Sequence, residues 1–199
     1  MNDFSPIIKY VSRHIQLNPE EEDYFTSLLR ITKVRKRQFI VQPEFVCRYR
    51  SYVFEGALMA YLLGNSGEQY TIAFAVEDWW ITDYNSYINQ VPATLFVQAM
   101  EDTTLIQIEY NSEQLLLRSI PKFERFFRII TERSLNFTQQ RVLSNLSKSA
   151  EERYLEFVNK YPGIVSRVPQ YALASYLGFS TEFLSKIRNR LSSKKTSKG

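Results

Sequence analysis

The hydrophobic pattern of this 199-residue chain changes its period near residue 120. From Ile31 to about Tyr110, short segments rich in β-branched and aromatic residues alternate with turn residues, which is typical of β-strands. The predicted strands cover residues 36–41, 48–55, 58–63, 69–76, 95–101 and 104–110. From Pro121 the apolar residues recur mainly at spacings of three, four and seven, which is the period of a helix. The chain is therefore expected to have an α+β fold, in which a compact all-β unit precedes a helical part.

The all-β unit is expected to be a sandwich or a roll, with short helices in front of it. Its clearest hairpin covers residues 59–74, where a Gly-Asn-Ser-Gly cluster at 64–67 supplies the positive-φ positions of the turn. Residues 5–30 predict the short helices. The second of them begins at Asn18 as N-cap, with Pro19 at the first helical position.

The apolar positions after Pro121 predict one helix of about 25 residues, which is long for a helix in a small domain. Its stripe consists mainly of aromatic and branched residues, namely Phe123, Phe126, Phe127, Ile130, Phe137, Val142, Leu143 and Leu146. Two interpretations of this stripe stay open on the sequence alone. The helix is either a lid on the β core or a helix that pairs with its copy in a homodimer.

The segment 168–191, VPQYALASYLGFSTEFLSKIRNRL, predicts a helix-turn-helix. A small side chain at Ala174 lets two short helices cross closely, and Gly178 allows the left-handed conformation that ends the first helix. Phe183 or Leu184 is expected to face inward from the second helix. Seven positions of the segment match this arrangement, which makes the motif a specific one.

The sign of the charge also changes along the chain. Residues 1–112 carry nine Lys and Arg against fourteen Asp and Glu, residues 113–145 carry six against three, and residues 146–199 carry ten against four. Charge alone is compatible with a solvated basic surface and a basic tail. Because the basic part also contains the helix-turn-helix, its expected partner is a polyanion, and specifically double-stranded DNA.

In a helix-turn-helix the N-terminal residues of the second helix face base edges in the major groove. Those residues are Ser180, Thr181, Glu182, Ser185 and Lys186. Glu182 can accept a hydrogen bond from cytosine, and Lys186 can donate to guanine. The alternatives are a first-turn acid stabilised by the helix dipole and a plain phosphate contact. Phosphate contacts or diffuse attraction are expected of Arg188, Asn189, Arg190, Lys194, Lys195 and Lys198.

Composition excludes several function classes. Cys47 and His14 are the only Cys and His, so the chain lacks the usual ligands of a zinc or iron–sulfur site and the partners of a nucleophilic triad. We therefore predict no metal, no cofactor and no enzyme activity, with His14 exposed on the surface. No stretch approaches the roughly eighteen apolar residues of a membrane span, and no secretory signal is visible. The expected location is the cytoplasm, without a membrane partner.

The order of these parts resembles the Crp/Fnr family of bacterial transcription regulators over nearly the whole chain. The matching segments are the hairpin region 52–80, YVFEGALMAYLLGNSGEQYTIAFAVEDWW, the helix start 149–164, SAEERYLEFVNKYPGI, and the helix-turn-helix at 168–191. The last two look especially like the Bacteroidetes-type branch of the family. The resemblance implies a transcription regulator that acts as a homodimer on a near-palindromic operator, with recognition helices about 34 Å apart.

The resemblance also implies three parts. Residues 1–112 would form a cyclic-nucleotide-binding-like sensor, a double-stranded β-helix of jelly-roll type with flanking helices. Residues 113–146 would form the long dimerisation helix, and residues 147–199 a winged helix-turn-helix that binds DNA. By the pattern of the family, the base-reading positions are those of Thr181, Glu182 and Lys186. RNA polymerase is a further candidate partner.

The sensor part departs from the family's cyclic AMP site. Members that bind cyclic AMP have a Gly-Glu pair after the hairpin and an Arg before the next strand, whereas this chain has Ile81, Thr82 and Ala93 there. Without the Arg there is no bidentate partner for a cyclic phosphate, so the sensor is expected to be degenerate. Two alternatives stay open: another, unidentified effector uses the residues Trp79, Trp80, Thr82 and Tyr84, or the roll binds none and its clustered aromatic residues belong to the core. The alternative function is a cyclic-nucleotide or other small-molecule sensor that acts through protein partners.

Overall fold

The computed structural model describes residues 3–196, except for the side chains of residues 192 and 194–196. The strands are β1 (Leu29–Val34), β2 (Phe39–Val41), β3 (Tyr49–Glu55), β4 (Leu58–Leu63), β5 (Gln69–Ala75), β6 (Trp80–Ile81), β7 (Phe96–Ala99) and β8 (Thr103–Glu109). The helices are α1 (Ser5–Ser12), α2 (Pro19–Ser27), α3 (Tyr84–Asn89), α4 (Tyr110–Ser119), α5 (Lys122–Ser147), α6 (Ala150–Lys160), α7 (Pro162–Val165), α8 (Gln170–Leu177) and α9 (Thr181–Thr196). None of these described helices is long and apolar enough to cross a membrane.

The strands form two four-stranded antiparallel sheets, in the orders β1-β8-β3-β6 and β2-β7-β4-β5. Strands that are distant in sequence are neighbours in both sheets, as in a jelly roll. Val53 and Leu105 of one sheet are buried together with Leu58 and Val97 of the other, so the core of the roll lies between the sheets. The expected α+β fold with an N-terminal β-roll is confirmed.

The β4–β5 hairpin has the turn that its sequence predicts. The Gly64 N–H donates to the Glu68 carbonyl oxygen over 2.8 Å, and the Gly67 N–H donates to the Gly64 carbonyl oxygen over 3.0 Å. Gly67 has a φ of 90°, which a residue with a Cβ rarely adopts. After the turn, β5 forms the edge strand of its sheet. Helix α8 packs against this edge strand.

Five elements, namely β1, β6, α3, α4 and α7, are absent from the sequence prediction. Strand β6 has two residues and α3 has six, so neither is long enough to show a hydrophobic period. Strand β1 pairs with β8 along its whole length, from Leu29 opposite Ile108 to Val34 opposite Thr103. Its conformation therefore depends on a partner more than 60 residues away, which local sequence patterns do not reveal.

The part of the chain after β8 is helical throughout the described residues. Helix α6 begins with the predicted capping box, in which Ser149 Oγ accepts the Glu152 N–H and the Glu152 carboxylate accepts the Ser149 N–H. No strand occurs between residues 110 and 196, so the wing that the resemblance implied is absent from this range. The stretch ahead of the motif forms the short helix α7 instead, with Pro162 in its first turn.

The first half of α5 is a lid on the roll. Phe123 and Phe126 are fully buried against Tyr52 and Ile106 of the outer sheet surface, together with the helices α1 and α2. The lid interpretation of the aromatic stripe therefore holds for this half. The second half differs, because Leu135, Val142, Leu143 and Leu146 are exposed.

His14 is half-buried beneath this lid, which corrects its expected exposure on the surface. Its Nε2 lies 3.3 Å from the Arg133 guanidinium, and its ring packs against Tyr10 and Phe126. Burial and the nearby Arg133 charge lower the pKa of His14 below its usual value. The helix α1 brings His14 against α5, and no local pattern indicates that contact.

Candidate nucleic-acid interface

The turn between α8 and α9 is built as the sequence predicts. Gly178 ends α8 in the left-handed conformation, with a φ of 77°. The Phe179 N–H donates to the Ala174 carbonyl oxygen over 2.8 Å, which satisfies one carbonyl at the end of the helix. The Ala174 side chain is buried, and its small size lets α9 pack closely on α8. The two helices therefore form a helix-turn-helix.

The inner face of α9 is anchored by Leu184 and Ile187, which are both buried. Phe183 is exposed and packs edge-on against Phe179, with ring centroids 5.7 Å apart. Leu184 is thus the inward residue of the two that the sequence left open. Ser180 Oγ accepts the Phe183 N–H over 3.2 Å and caps the helix. This anchoring fixes which face of α9 is exposed.

The predicted base-reading residues lie in the first two turns of α9. Glu182 and Lys186 are exposed and one helical turn apart, while Thr181 and Ser185 are half-buried beside them. Hydrogen bonds from its own backbone N–H and from Ser180 lower the pKa of Glu182, as does the Lys186 charge. Glu182 therefore lies where a first-turn acid is stabilised by the helix N-terminus, and its ionised carboxylate faces outward as a hydrogen-bond acceptor.

The predicted phosphate contacts further along α9 have different surroundings. Arg188 is exposed, whereas the Arg190 guanidinium contacts the Glu151 carboxylate at the start of α6. Arg190 would have to leave Glu151 in order to contact a phosphate. The side chains of Lys194 and Lys195, and the whole of Lys198, lie outside the described residues.

A polar contact that the sequence analysis missed joins the helix-turn-helix to the roll. Arg167, which precedes α8, donates to both carboxylate oxygens of Glu77 over 2.8 Å each, and also contacts the Glu101 carboxylate. The Arg167 guanidinium holds the pKa of Glu77 down to about 2. No signal in the sequence could have found this contact, because the partners are 66 and 90 residues apart.

The same junction covers the free edge of β5. Ser175 Oγ of α8 donates to the Gln69 carbonyl oxygen over 2.7 Å and accepts the Thr71 N–H over 2.8 Å. Arg141 of α5 donates to the carbonyl oxygens of Thr71 and Ile72. An edge strand offers unpaired backbone groups, and here these groups hold the helix-turn-helix against the roll.

The predicted effector residues of the roll are not gathered in one cavity. The Trp79 indole packs edge-on against Phe137 of α5, with ring centroids 5.7 Å apart. The Trp80 indole packs in another cluster, beneath the aromatic residues of the first half of α5. The Thr82 hydroxyl is buried and donates to a backbone carbonyl of β3, and Tyr84 is the first residue of α3. The Trp79 indole therefore packs against the second half of α5, and the Trp80 indole packs against the first half.

Asp83 ties together the loops on either side of α3. Its Oδ1 accepts the Ser86 N–H over 3.1 Å, and its Oδ2 accepts the N–H groups of Thr94 and Leu95 over 2.9 and 3.0 Å. The side chain is buried, which by itself would raise the pKa of Asp83, but these three amides lower it below the usual value. Three convergent amides thus bind a carboxylate that belongs to the chain itself.

Comparisons with known proteins give a result at the level of structure. No protein-family model matches the sequence, and no curated protein matches it significantly. Among solved structures, the c-di-GMP responsive global regulator CLP of Xanthomonas campestris is 13% identical with a TM-score of 0.72, over 89% of this chain and 93% of CLP. FixK2 of Bradyrhizobium japonicum is 19% identical with a TM-score of 0.72, over 84% of this chain and 86% of FixK2.

A transcriptional regulator of the Crp/Fnr family from Eubacterium rectale is 15% identical with a TM-score of 0.71, over 89% of this chain and 85% of that protein. The chain has the Crp/Fnr fold. Asp83 lies between Thr82 and Ala93, two of the positions at which the resemblance predicts a departure from the cyclic AMP site. The carboxylate that accepts hydrogen bonds from the three amides is therefore part of the segment between Thr82 and Ala93.

Proposed function

We propose that the protein is a sequence-specific DNA-binding transcription regulator of the Crp/Fnr family. The observation that carries the proposal is the α8–α9 unit, which buries Leu184 and Ile187 and leaves a polar face of α9 exposed in the basic part of the chain. The fold shared with regulators from three bacteria supports it. The proposed parts are the sensor at 1–112, the connecting helix at 113–146 and the DNA-binding domain at 147–199.

The proposed reading residues are Thr181, Glu182 and Lys186, with Ser180, Ser185, Arg188 and Arg190 as supporting contacts. Glu182 would accept from a cytosine amine and Lys186 would donate to guanine in the major groove. Their exposure on one face of α9, one turn apart, supports this assignment. Phosphate contacts would come from the residues further along the helix and would weaken as salt rises.

The proposed functional unit is a homodimer that pairs along the second half of α5. Leu135, Val142 and Leu146 are spaced by seven and four residues, and Leu143 lies beside them. All four side chains are more than half exposed, and Leu146 is 80% exposed. A row of exposed apolar residues along a helix is typical of a coiled-coil interface. Pairing along it would place two copies of α9 for a near-palindromic operator, about 34 Å apart.

The proposed sensor is degenerate with respect to cyclic nucleotides. The Asp83 carboxylate already accepts three N–H groups of the segment in which the family's phosphate site would lie. A second anion at this place would meet a like charge and no free donor among these three. Cyclic AMP at millimolar concentration is therefore expected to leave the fluorescence of Trp79 and Trp80 unchanged. Saturable binding at micromolar concentration would contradict this part of the proposal.

Other aspects of the proposal follow from the resemblance. The regulator would act in the cytoplasm, where its DNA is, and RNA polymerase is the candidate protein partner. Any effector of the roll is unidentified. The likeness of 149–164 and 168–191 to the Bacteroidetes-type branch stays a prediction.

The experiment that tests the proposal is recovery of genomic DNA fragments on the purified protein at physiological salt, followed by sequencing. We expect one inverted-repeat motif. Replacing Glu182 or Lys186 by Ala should remove about 1–3 kcal/mol of preference at one position of each half-site, if each residue reads a base. The matched control is Glu20→Ala with Lys33→Ala, an exposed pair on other elements. Uniform recovery that collapses as salt rises, equally for every variant, would overturn the proposal.

A further inference from the structure

A cleft lies where the second half of α5, helix α6 and helix α8 meet. The cleft opens to solvent, and its volume is about 60 Å³. Its aromatic walls are Phe137, Phe157, Tyr161 and Tyr176. No residue of α9 lines this cleft, so it is separate from the face proposed to read DNA.

The same walls carry three cations, Arg141, Arg153 and Lys160, and one carboxylate, Glu156. Glu156 is already engaged, because it accepts from Lys148 Nζ over 2.8 Å and from Ser144 Oγ over 3.0 Å. Lys148 does not line the cleft. The described lining therefore has an excess of positive charge.

Arg141 is half-buried in the wall of the cleft. Its two terminal nitrogens donate to the carbonyl oxygens of Thr71 and Ile72, and its guanidinium lies 4.1 Å from the ring centroid of Tyr176. Its Nε is buried without a hydrogen-bond partner, and the described residues place no carboxylate within ion-pair distance of Arg141. Partial burial lowers the pKa of Arg141, and an anion nearby would offset this desolvation of the cation.

Arg153 has the same kind of surroundings. It donates to the Asn145 side-chain oxygen over 3.2 Å, and its guanidinium lies 4.6 Å from the ring centroid of Phe179. Its Nε is also buried without a partner. Both guanidinium groups thus contact an amide or carbonyl oxygen on one side and an aromatic ring on the other.

We propose that this cleft is a binding site for a small aromatic anion. Guanidinium groups match the planar oxygens of a carboxylate, phosphate or sulfonate, and the aromatic walls match a flat ring. The site itself is independent of the proposed function. A consequence rests on that function: since the walls belong to the connecting helix and to the helix-turn-helix, a bound anion would favour one orientation of α9 relative to the roll.

The test uses two fluorescent probes of the same shape, 8-anilinonaphthalene-1-sulfonate and its uncharged analogue N-phenyl-1-naphthylamine. We expect the full-length protein to bind the sulfonate saturably and more tightly than the uncharged probe. Arg153→Gln combined with Lys160→Gln should raise the Kd of the sulfonate by about tenfold or more, because charge-assisted contacts are lost. The Kd of the uncharged probe should not change.

Two further variants separate charge from folding. Arg118→Gln removes an exposed cation of α4, outside the cleft, and should leave the Kd of the sulfonate unchanged. Arg153→Lys keeps the charge and should restore most of the affinity that Arg153→Gln loses. Displacement of the sulfonate by salicylate or by 5′-AMP supports the proposal and identifies the anionic group as a carboxylate or a phosphate.

Equal affinity for the two probes, or a sulfonate Kd that the Arg153 and Lys160 variants leave unchanged, would overturn the proposal. The DNA recovery experiment is separate from these measurements. If the probes do not bind as expected but the protein still recovers one operator motif, only the proposed anion site is rejected. If the sulfonate binds saturably but the protein selects no operator, only the proposed function as a DNA-binding regulator is rejected.

Discussion

The two halves of α5 have a similar apolar spacing but opposite surroundings. The apolar residues of the first half, Phe123, Phe126, Phe127 and Ile130, are at most 7% exposed. Those of the second half, Leu135, Val142, Leu143 and Leu146, are between 51 and 80% exposed. The first half lies under α1 and α2 on the outer face of a sheet, and no described element covers the second half in this way.

This difference shows that a hydrophobic period predicts a helix face but not what covers it. On the second half, Phe137 and Arg141 face the roll and the cleft, while Val142 and Leu146 lie on the other side of the helix. The sequence therefore left two interpretations of one stripe, a lid and a dimer helix. The lid interpretation applies to the first half, and the dimer interpretation is our proposal for the second half.

The largest effect is expected from Phe126→Ala in the covered half. The fully buried ring leaves a cavity, so the free energy of unfolding should fall by about 3–5 kcal/mol. The measurement is urea unfolding at a protein concentration at which the chain is monomeric. The control, Leu146→Ala in the exposed half, should change it by less than about 0.5 kcal/mol. Similar losses for both variants would remove the contrast between the halves.

Much of the fold was predictable because its signals are local. The hairpin turn at Gly67, the capping box of Ser149 and Glu152, and the left-handed Gly178 each depend on residues within a few positions. Strand β1 was not predictable, since its conformation depends on pairing with β8. The wing was expected from resemblance alone, and residues 110–196 contain no strand.

A smaller effect is expected from Val142→Glu in the exposed half. The substitution removes the Val side chain that the proposed interface would bury, and burial of such a side chain stabilises by about 1.5–3 kcal/mol. The dimer dissociation constant should rise by about 10- to 100-fold, as measured by analytical ultracentrifugation. Leu115→Glu is the matched control, because Leu115 of α4 is also 51% exposed and lies off the stripe. An unchanged constant for Val142→Glu would show that α5 does not pair along this row.

The candidate site was predictable in its outline but not in its contacts. The spacing of Ala174 and Gly178 placed the turn, and hence the residues at the start of α9. The pairing of Arg190 with Glu151, and of Arg167 with Glu77, joins elements that are distant in sequence. Ion pairs of this kind leave no local pattern, because any exposed acid can be the partner.

The smallest effect is expected at the junction that holds the second half of α5 and the helix-turn-helix against the roll. Both Glu77 and Arg167 are partly exposed, so Glu77→Gln should lower the free energy of unfolding at pH 7 by only about 0.5–1 kcal/mol. Arg167 lowers the pKa of Glu77 from the usual 4.5 to about 2. The contribution of the ion pair is therefore complete above about pH 4.5 and is lost as the pH falls towards 2.

Urea unfolding of the parent and of Glu77→Gln between pH 7 and pH 2 measures this dependence. The gap, which is the difference in free energy of unfolding between the parent and Glu77→Gln, should be constant down to about pH 4.5. It should then close, because the protonated Glu77 resembles Gln in charge. Glu68→Gln in the β4–β5 turn removes an acid that has no ion-pair partner among the described residues, and should produce no such gap. A gap that widens on acidification would mean that Glu77 destabilises the junction when ionised. In that case the contacts of Ser175 and Arg141 with β5, which do not titrate in this range, would hold the helix-turn-helix to the roll without help from the ion pair.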